Sequence, residues 1–383
     1  MFDLKSIKTK VTEDPKDYIL SDEGLKSAIQ MAIWLGKPLL LTGAPGTGKT
    51  RLAYKLADML ANETPAQPGA CAPFLDKPFI FDTKTTSTAT DLFYTYDAIQ
   101  HFQKRYVEES KTQSVVKIAN QENEHPSVNI NTVETVSSRK SLSSAHPFIK
   151  LNALGKALIQ GYGTLNITAN PDLEELQLLQ DFDKIQAAAH SSVVLIDEID
   201  KAPRDFPNDL LNEIENMEFS IKELMNKKIP RPETKAQVVV IMTSNFEKNL
   251  PDAFLRRCLF YHIPPPSHTE LTAIMNKRLE SHLKALYAGN DDARLTSLIK
   301  LLPVNVDAAV KEFENIKKLI REKQPATAEL LDWIKALEQK GLFDEAIDFT
   351  ALEPKKKKIL AEVVPALAKG DTDQQSLKEK YSN

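Results

Sequence analysis

The sequence predicts an α/β protein, a parallel sheet flanked by helices, followed by a smaller all-helical part. Three observations lead there. Short apolar runs, "LLL" at 39–41, "VVLI" at 193–196 and "VVVIM" at 238–242, have the length and composition of strands buried on both faces. A glycine-rich turn joins the first run to a helical pattern, as in a strand–loop–helix unit. From residue 267 to about 340 the apolar spacing is helical throughout. At 383 residues the chain can hold roughly two or three domains and bury a sizeable core.

Taken in order, residues 1–20 are polar and expected to be irregular, and Ser21 is placed as the cap of a helix turning Leu25, Ala28, Ile29 and Ala32 to a core. "FIFDT" (79–83) reads as a second strand. Leu92, Phe93, Tyr96 and Ile99 then suggest a helix within "TATDLFYTYDAIQHF". Residues 107–146 hold no aromatic residue and no glycine but many Ser, Thr, Asn, Gln and Lys, the composition of a mobile insertion. Packing resumes at "PFIKLNALGKALIQ", and the strand runs at 193–198 and 238–245 follow. After "LFYHI" (259–263), Pro264 to Pro266 break the chain, and Ser267 with Glu270 forms a capping box for the next helix. Leu279, Leu283 and Leu286, then Leu330, Trp333, Ile334 and Leu337, mark a helical lid. The expected division is 1–266 for the α/β domain, 267–340 for the lid and 341–383 for a C-terminal extension with a polar end. The lysine run in "EPKKKK" (353–358) reads as a solvated face rather than a nucleic-acid contact.

"GAPGTGKT" (43–50) has the spacing of a phosphate-binding loop. Backbone N–H groups of Gly43, Ala44, Pro45's neighbours, Gly46, Thr47 and Gly48 would curl around phosphate oxygens, Lys49 would reach the β- and γ-phosphates, and Thr50 would ligate Mg²⁺. Arg51 follows in the helix, whose positive N-terminus faces the anion. In "VVLIDEID", Asp197 and Glu198 sit just past a buried strand, where open α/β sheets gather ligands. Asp197 would hold the Mg²⁺ shell and Glu198 would polarise the attacking water. Asn245, ending "VVVIMTSN", is either an amide that orients that water or a turn residue. Arg256 and Arg257 in "LPDAFLRRC" suit phosphate oxygens across a subunit boundary, or a surface ion pair.

The order of "GAPGTGKT", "VVLIDEID", "TSN" and "LPDAFLRRC", followed by a helical lid, resembles an AAA+ ATPase of the P-loop NTPase class, and within it the MoxR family. "KAPRDFPNDLLNEIENMEFSI" (201–221), the hairpin-like stretch before "VVVIMTSN", and "KQPATAELLDWIKAL" add to the likeness, which covers roughly residues 15–340. It implies ATP with Mg²⁺ as cofactors, Asn245 as sensor-1, Arg257 as the arginine finger with Arg256 second, and a homo-oligomeric ring of about six subunits. It also implies a chaperone-like motor acting on a partner with a von Willebrand factor A domain. One departure stands out: the lid arginine common in such proteins is missing, with Ala326 and Ala328 at that place, and Arg321 and Lys323 a little upstream.

Composition bounds the alternatives. A net charge of −4 argues against a broad nucleic-acid surface, and no concentrated basic stripe supports one. Cys71 and Cys258 lack paired metal spacing and fit a reducing cytoplasm. "MFDLKSIKTK" has no apolar signal core, and no run approaches membrane-spanning length, so no membrane partner is expected. Besides the remodelling ATPase, two readings stay open: a low-turnover nucleotide switch or scaffold, and a GTP-dependent nucleic-acid motor of the McrB type.

Overall fold

The computed structural model describes residues 15–63, 71–107, 145–245, 250–287 and 292–382; the polar stretch expected to be a mobile insertion lies, from 108 to 144, outside them. The first half of the chain runs α1 (Glu23–Leu35), β1 (Leu39–Thr42), α2 (Lys49–Glu63), β2 (Phe79–Asp82), β3 (Tyr94–Tyr96), α3 (98–107), β4 (Ile149–Leu151), α4 (Ala153–Tyr162) and α5 (Thr164–Ala169). Next come β5 (Ser192–Asp197), α6 (Phe206–Asn216), β6 (Phe219–Ile221), β7 (Lys227–Ile229), β8 (Val238–Ser244), α7 (Asp252–Leu255) and β9 (Leu259–His262). The helices α8 (His268–Tyr287), α9 (Asp292–Leu319), α10 (Thr327–Gln339), α11 (Pro354–Val363) and α12 (Asp371–Ser382) complete it. Contacts group the described residues into two compact units. One takes in Met1–Ser27, Leu41–Lys55 and Tyr261–Asn383, the other Ala28–Leu40 and Leu56–Phe260.

The main sheet has the order β2-β5-β8-β1-β9, with β2 parallel to β5 and β5 parallel to β8. Strand composition follows position. The inner strands β5, β8 and β1 are buried almost residue for residue, whereas the edge strands β2 and β9 are only partly covered. Apolar runs without alternation are what two covered faces require. The register sets Val194 of β5 opposite Phe79 of β2 and Val240 of β8, and ends with Asp82 opposite Asp197. Two small antiparallel pairs, β3 with β4 and β6 with β7, flank this unit's core. The second is the hairpin expected before "VVVIMTSN".

Two local expectations are corrected. The helix expected across 88–102 is a 3₁₀ turn (Ala89–Leu92) and strand β3, with a helix beginning only at 98. Pairing wins over spacing here. Tyr94 faces Leu151 and Tyr96 faces Ile149 across the ladder, Leu92, Phe93 and Tyr94 are buried, and Asp97 starts α3 by accepting the Gln100 N–H at 2.8 Å. Ile99, counted on to pack, is 72% exposed. The cap of α1 is Asp22 rather than Ser21: its Oδ1 accepts from the N–H groups of Gly24 at 2.8 Å and Leu25 at 3.2 Å, while the Ser21 hydroxyl donates to Glu270 at 3.1 Å. An ionised carboxylate can serve two first-turn donors at once.

The core of the α/β unit closes tightest at Gly155 of α4. A Cβ there would lie 2.0 Å from the carbonyl oxygen of Phe93, which already accepts from Asn152 N–H at 2.8 Å. Alanine raises helix propensity by about 1 kcal/mol, but forcing two backbones apart costs about 3 kcal/mol or more. Gly155→Ala should therefore lower the midpoint of thermal unfolding by several degrees. A midpoint that stays put or rises would show that the α4 backbone is not seated against Phe93.

In the other unit the expected capping box is present: Ser267 N–H donates to Glu270 Oε2 at 2.8 Å, and Glu270 N–H to the Ser267 hydroxyl at 3.4 Å. Met275, Leu279 and Leu283 of α8 join Phe313 of α9 and Trp333 and Ile334 of α10 in one apolar cluster. Leu342, Phe343, Leu360 and Leu377 of the C-terminal stretch belong to the same cluster. Its surface is polar, but helices α11 and α12 pack on the lid. No described helix is long and apolar enough to cross a membrane.

Candidate active site

The phosphate loop links β1 to α2. Gly43, Gly46 and Gly48 have φ of 146°, 80° and 84°. At Gly43 a Cβ would lie 2.6 Å from the Ile263 carbonyl oxygen, and at Gly48 3.0 Å from the Tyr18 ring. Both positions thus need glycine for space as well as for conformation. Between them Ala44, Pro45 and Gly46 are exposed and Thr47 is half-buried, its hydroxyl donating to Ala44 O at 2.9 Å. Lys49, only 7% exposed, turns its ammonium back into the loop and donates to Gly43 O at 2.9 Å and Ala44 O at 3.1 Å. Thr50 lies in the first turn of α2, and Arg51 follows it.

A cavity of about 260 Å³ opens beside the loop, within the same unit. Gly46 to Gly48 line one side, Ile19, Leu20, Ile263, Pro264 and Ile274 give apolar walls, and Arg51 and Arg278 are the arginines lining it among the described residues. Its acidic groups are engaged. Asp22 holds two backbone N–H groups and the Tyr261 hydroxyl at 2.5 Å, Glu270 holds Ser267 and Ser21, and Asp17 accepts from Ser281 at 2.8 Å. The Tyr261 hydrogen bond keeps Asp22 below the usual carboxylate range, and the bonds from Ser267 do so for Glu270. The same bond to Asp22 pushes the Tyr261 phenol up to about 12. Burial does so for Tyr18, also to about 12. Tyr18 therefore meets the loop as a neutral aromatic ring.

At the place of the expected lid arginine, Ala326 lies at the start of α10, 3.0 Å from where a Gly46 Cβ would be. Arg321 and Lys323 are exposed and do not line the cavity. The Arg321 and Glu322 backbone N–H groups are instead held by Asp373.

In the α/β unit the strand ends carry the acidic residues. Asp197 closes β5, and Glu198 turns the chain in the left-handed region at φ 54°, a conformation that costs about 1 kcal/mol or more without glycine. Thr243, at the end of β8, holds both: its hydroxyl donates to Asp197 Oδ1 at 2.5 Å and accepts from Glu198 N–H at 2.8 Å. Asn245 is fixed by its own N–H on Asp200 Oδ2 at 3.1 Å, and its amide donates to Glu198 Oε1 at 3.2 Å. Lys201, in the turn after Glu198, donates to Glu198 Oε2. The structure thus brings Asp197, Glu198 and Asn245 together through two residues to which the sequence reading gave no role, Thr243 and Lys201. A hydroxyl ending a buried strand beside an acidic pair was the available signal for Thr243.

Arg256 and Arg257 follow α7, which Phe254 anchors in the core at 1% exposure. Both arginines are exposed. Arg257 Nε lies 3.5 Å from Glu215 and lines a groove of about 490 Å³ with Trp34, Met217 and Pro232.

A parallel five-stranded sheet, a phosphate loop after its first strand, an acidic pair closing a buried strand and a helical C-terminal region define a P-loop α/β core of the AAA+ class. Residues 177–288 match the family model described as AAA domain (Cdc48 subfamily). The matched segment runs from before β5 through α8, so it carries Asp197, Glu198, Asn245 and both arginines. It supports an AAA+ ATPase. No curated protein matches the chain.

Proposed function

We propose that the chain is an ATP-hydrolysing AAA+ machine of the MoxR type, working as a ring of about six copies to remodel or activate a partner protein with a von Willebrand factor A domain. The observation that carries hydrolysis is the Asn245 amide on the Glu198 carboxylate at 3.2 Å: a carboxylate able to polarise water, with an amide to orient it. Lys49 and the loop N–H groups hold the phosphates. We assign Mg²⁺ to Thr50 and Asp197, whose hydroxyl and carboxylate oxygens are the hard donors that ion takes. When bound, Mg²⁺ neutralises charge on the transferring phosphate. The hydroxyl of Thr243 holds the Asp197 carboxylate in one orientation. Arg257, with Arg256 second, acts on the nucleotide of a neighbouring copy.

The cavity supports adenine over guanine. Guanine presents N1–H and N2–H₂ donors that a carboxylate would accept, but Asp17, Asp22 and Glu270 are each taken by groups of the chain itself. A second reading, the low-turnover switch, draws on Ala326 in place of a lid arginine and on the Lys201 contact with Glu198. Phosphate release measured with ATP and with GTP, each with and without DNA, separates these functions. We expect steady ATP turnover, kcat/KM for GTP lower by ~10-fold or more, and no response to DNA. Preference for GTP, or stimulation by DNA, would favour the nucleic-acid motor, and tight ATP binding without turnover would favour the switch.

A further inference from the structure

We propose that Lys201 is a positioning residue for hydrolysis, holding the Glu198 carboxylate in a parked orientation from which it must be released before water can be activated. The inference rests on the assignment of Glu198 as the water-polarising group. Three contacts fix the Glu198 backbone. Its N–H donates to Thr243 at 2.8 Å, its carbonyl accepts from Lys201 N–H at 2.9 Å, and its φ of 54° is set by the turn Ile199–Lys201. Only the side chain is left to move, and two donors divide it. Asn245 takes Oε1 and the Lys201 ammonium takes Oε2. An ammonium on the second oxygen draws the carboxylate's charge toward itself, where a water proton would otherwise be the attraction.

The reach of Lys201 is a product of the turn. The 3₁₀ geometry of Ile199–Lys201 brings residues three apart onto one side, so the ammonium meets the carboxylate without any long-range packing. Both side chains are also accessible, 39% exposed for Lys201 and 37% for Glu198. A pair that open biases the parked orientation by a factor of about five at most. It can therefore be undone by a modest competing contact. A phosphate, a partner carboxylate or a residue of a neighbouring copy that attracts Lys201 would free Oε2, while Asn245 kept its hold on Oε1. Lys201 would in this way make turnover conditional on what surrounds the site.

The test is single-turnover hydrolysis of pre-bound ATP, which reads chemistry rather than product release, in the full-length chain. Lys201→Gln removes the charge and keeps a side chain of similar length, and should raise the rate about two- to fivefold with the Kd for a fluorescent ATP analogue unchanged. Lys201→Arg keeps the cation and should stay near the wild-type rate. Glu198→Gln combined with Lys201→Gln should be as inactive as Glu198→Gln alone, because the effect passes through that carboxylate. A rate for Lys201→Gln equal to or below wild type overturns the proposal, and so does a gain that survives in the double variant. A loss in Lys201→Gln that Lys201→Arg restores would make the ammonium an activating contact and would equally overturn the parked state. The assignment of Glu198 fails separately, if Glu198→Gln alone hydrolyses ATP at the wild-type rate.

Discussion

Lys49→Ala should lose ATP binding, whereas Glu198→Gln should bind ATP as the wild type does and hydrolyse it ~10²-fold more slowly or worse. The difference follows from where each charge sits. The Lys49 ammonium is almost fully buried within the loop, bonded to two of the loop's own carbonyls, and is placed to exchange them for phosphate oxygens. A charge-assisted hydrogen bond of about 1.5–3 kcal/mol is worth roughly 10- to 100-fold in affinity, and its loss also leaves the phosphates facing only neutral N–H groups. Glu198 has no such part in binding. Replacing it with glutamine keeps size and the acceptor for Asn245, but removes the negative charge that attracts a water proton. Titration with a fluorescent ATP analogue and a phosphate-release assay read the two effects separately. Equal loss of binding in both variants would remove Glu198 from the hydrolytic step.

What the sequence made legible was whatever depends on short stretches of chain. The phosphate loop, the buried strands β5 and β8, and the Ser267–Glu270 box are local patterns whose physics is complete within a few residues. Helical spacing at Leu92, Phe93 and Tyr96 was misleading because those residues are buried by β4, more than fifty positions away in the chain, and no local pattern carries that pairing. The polar start of the chain hid Tyr18, a single aromatic whose value lies in meeting Gly48. Asp22 was passed over for Ser21 because both are good caps, and only the starting point of α1 separates them. At the site, residue types that do chemistry announced themselves, while the residue that joins them, Thr243, reads in sequence as an ordinary strand end. The C-terminal stretch was weighed by its lysines, yet Leu360 and Leu377 decide where it packs.

Arg257→Ala should abolish hydrolysis while each subunit still binds ATP, and mixing it with Glu198→Gln subunits should restore part of the activity. The local structure makes this arginine available to another copy. Phe254 pins the short helix α7 into the core, so the two residues beyond it are held at the surface on a rigid stem. There the Arg257 guanidinium has one ion-pair partner given by the structure, Glu215 at 3.5 Å, with the two side chains 47% and 63% exposed. An exposed pair of that kind holds its partners by about 1 kcal/mol or less, which a polyphosphate can outbid with bidentate contacts. If the arginine serves a neighbour, a boundary between one Arg257→Ala and one Glu198→Gln subunit comes in two arrangements, according to which subunit supplies the arginine. In one of them intact Glu198 meets intact Arg257, so a mixed ring contains working sites although neither variant alone does. A parallel mixture with Arg256→Ala ranks the two arginines: the true finger is the one whose loss is silent for binding, complete for turnover and rescued by mixing. ATP turnover per chain that stays constant on dilution to a sedimenting monomer would show that no neighbour is needed, and the arginine would then have to act within its own subunit or not at all.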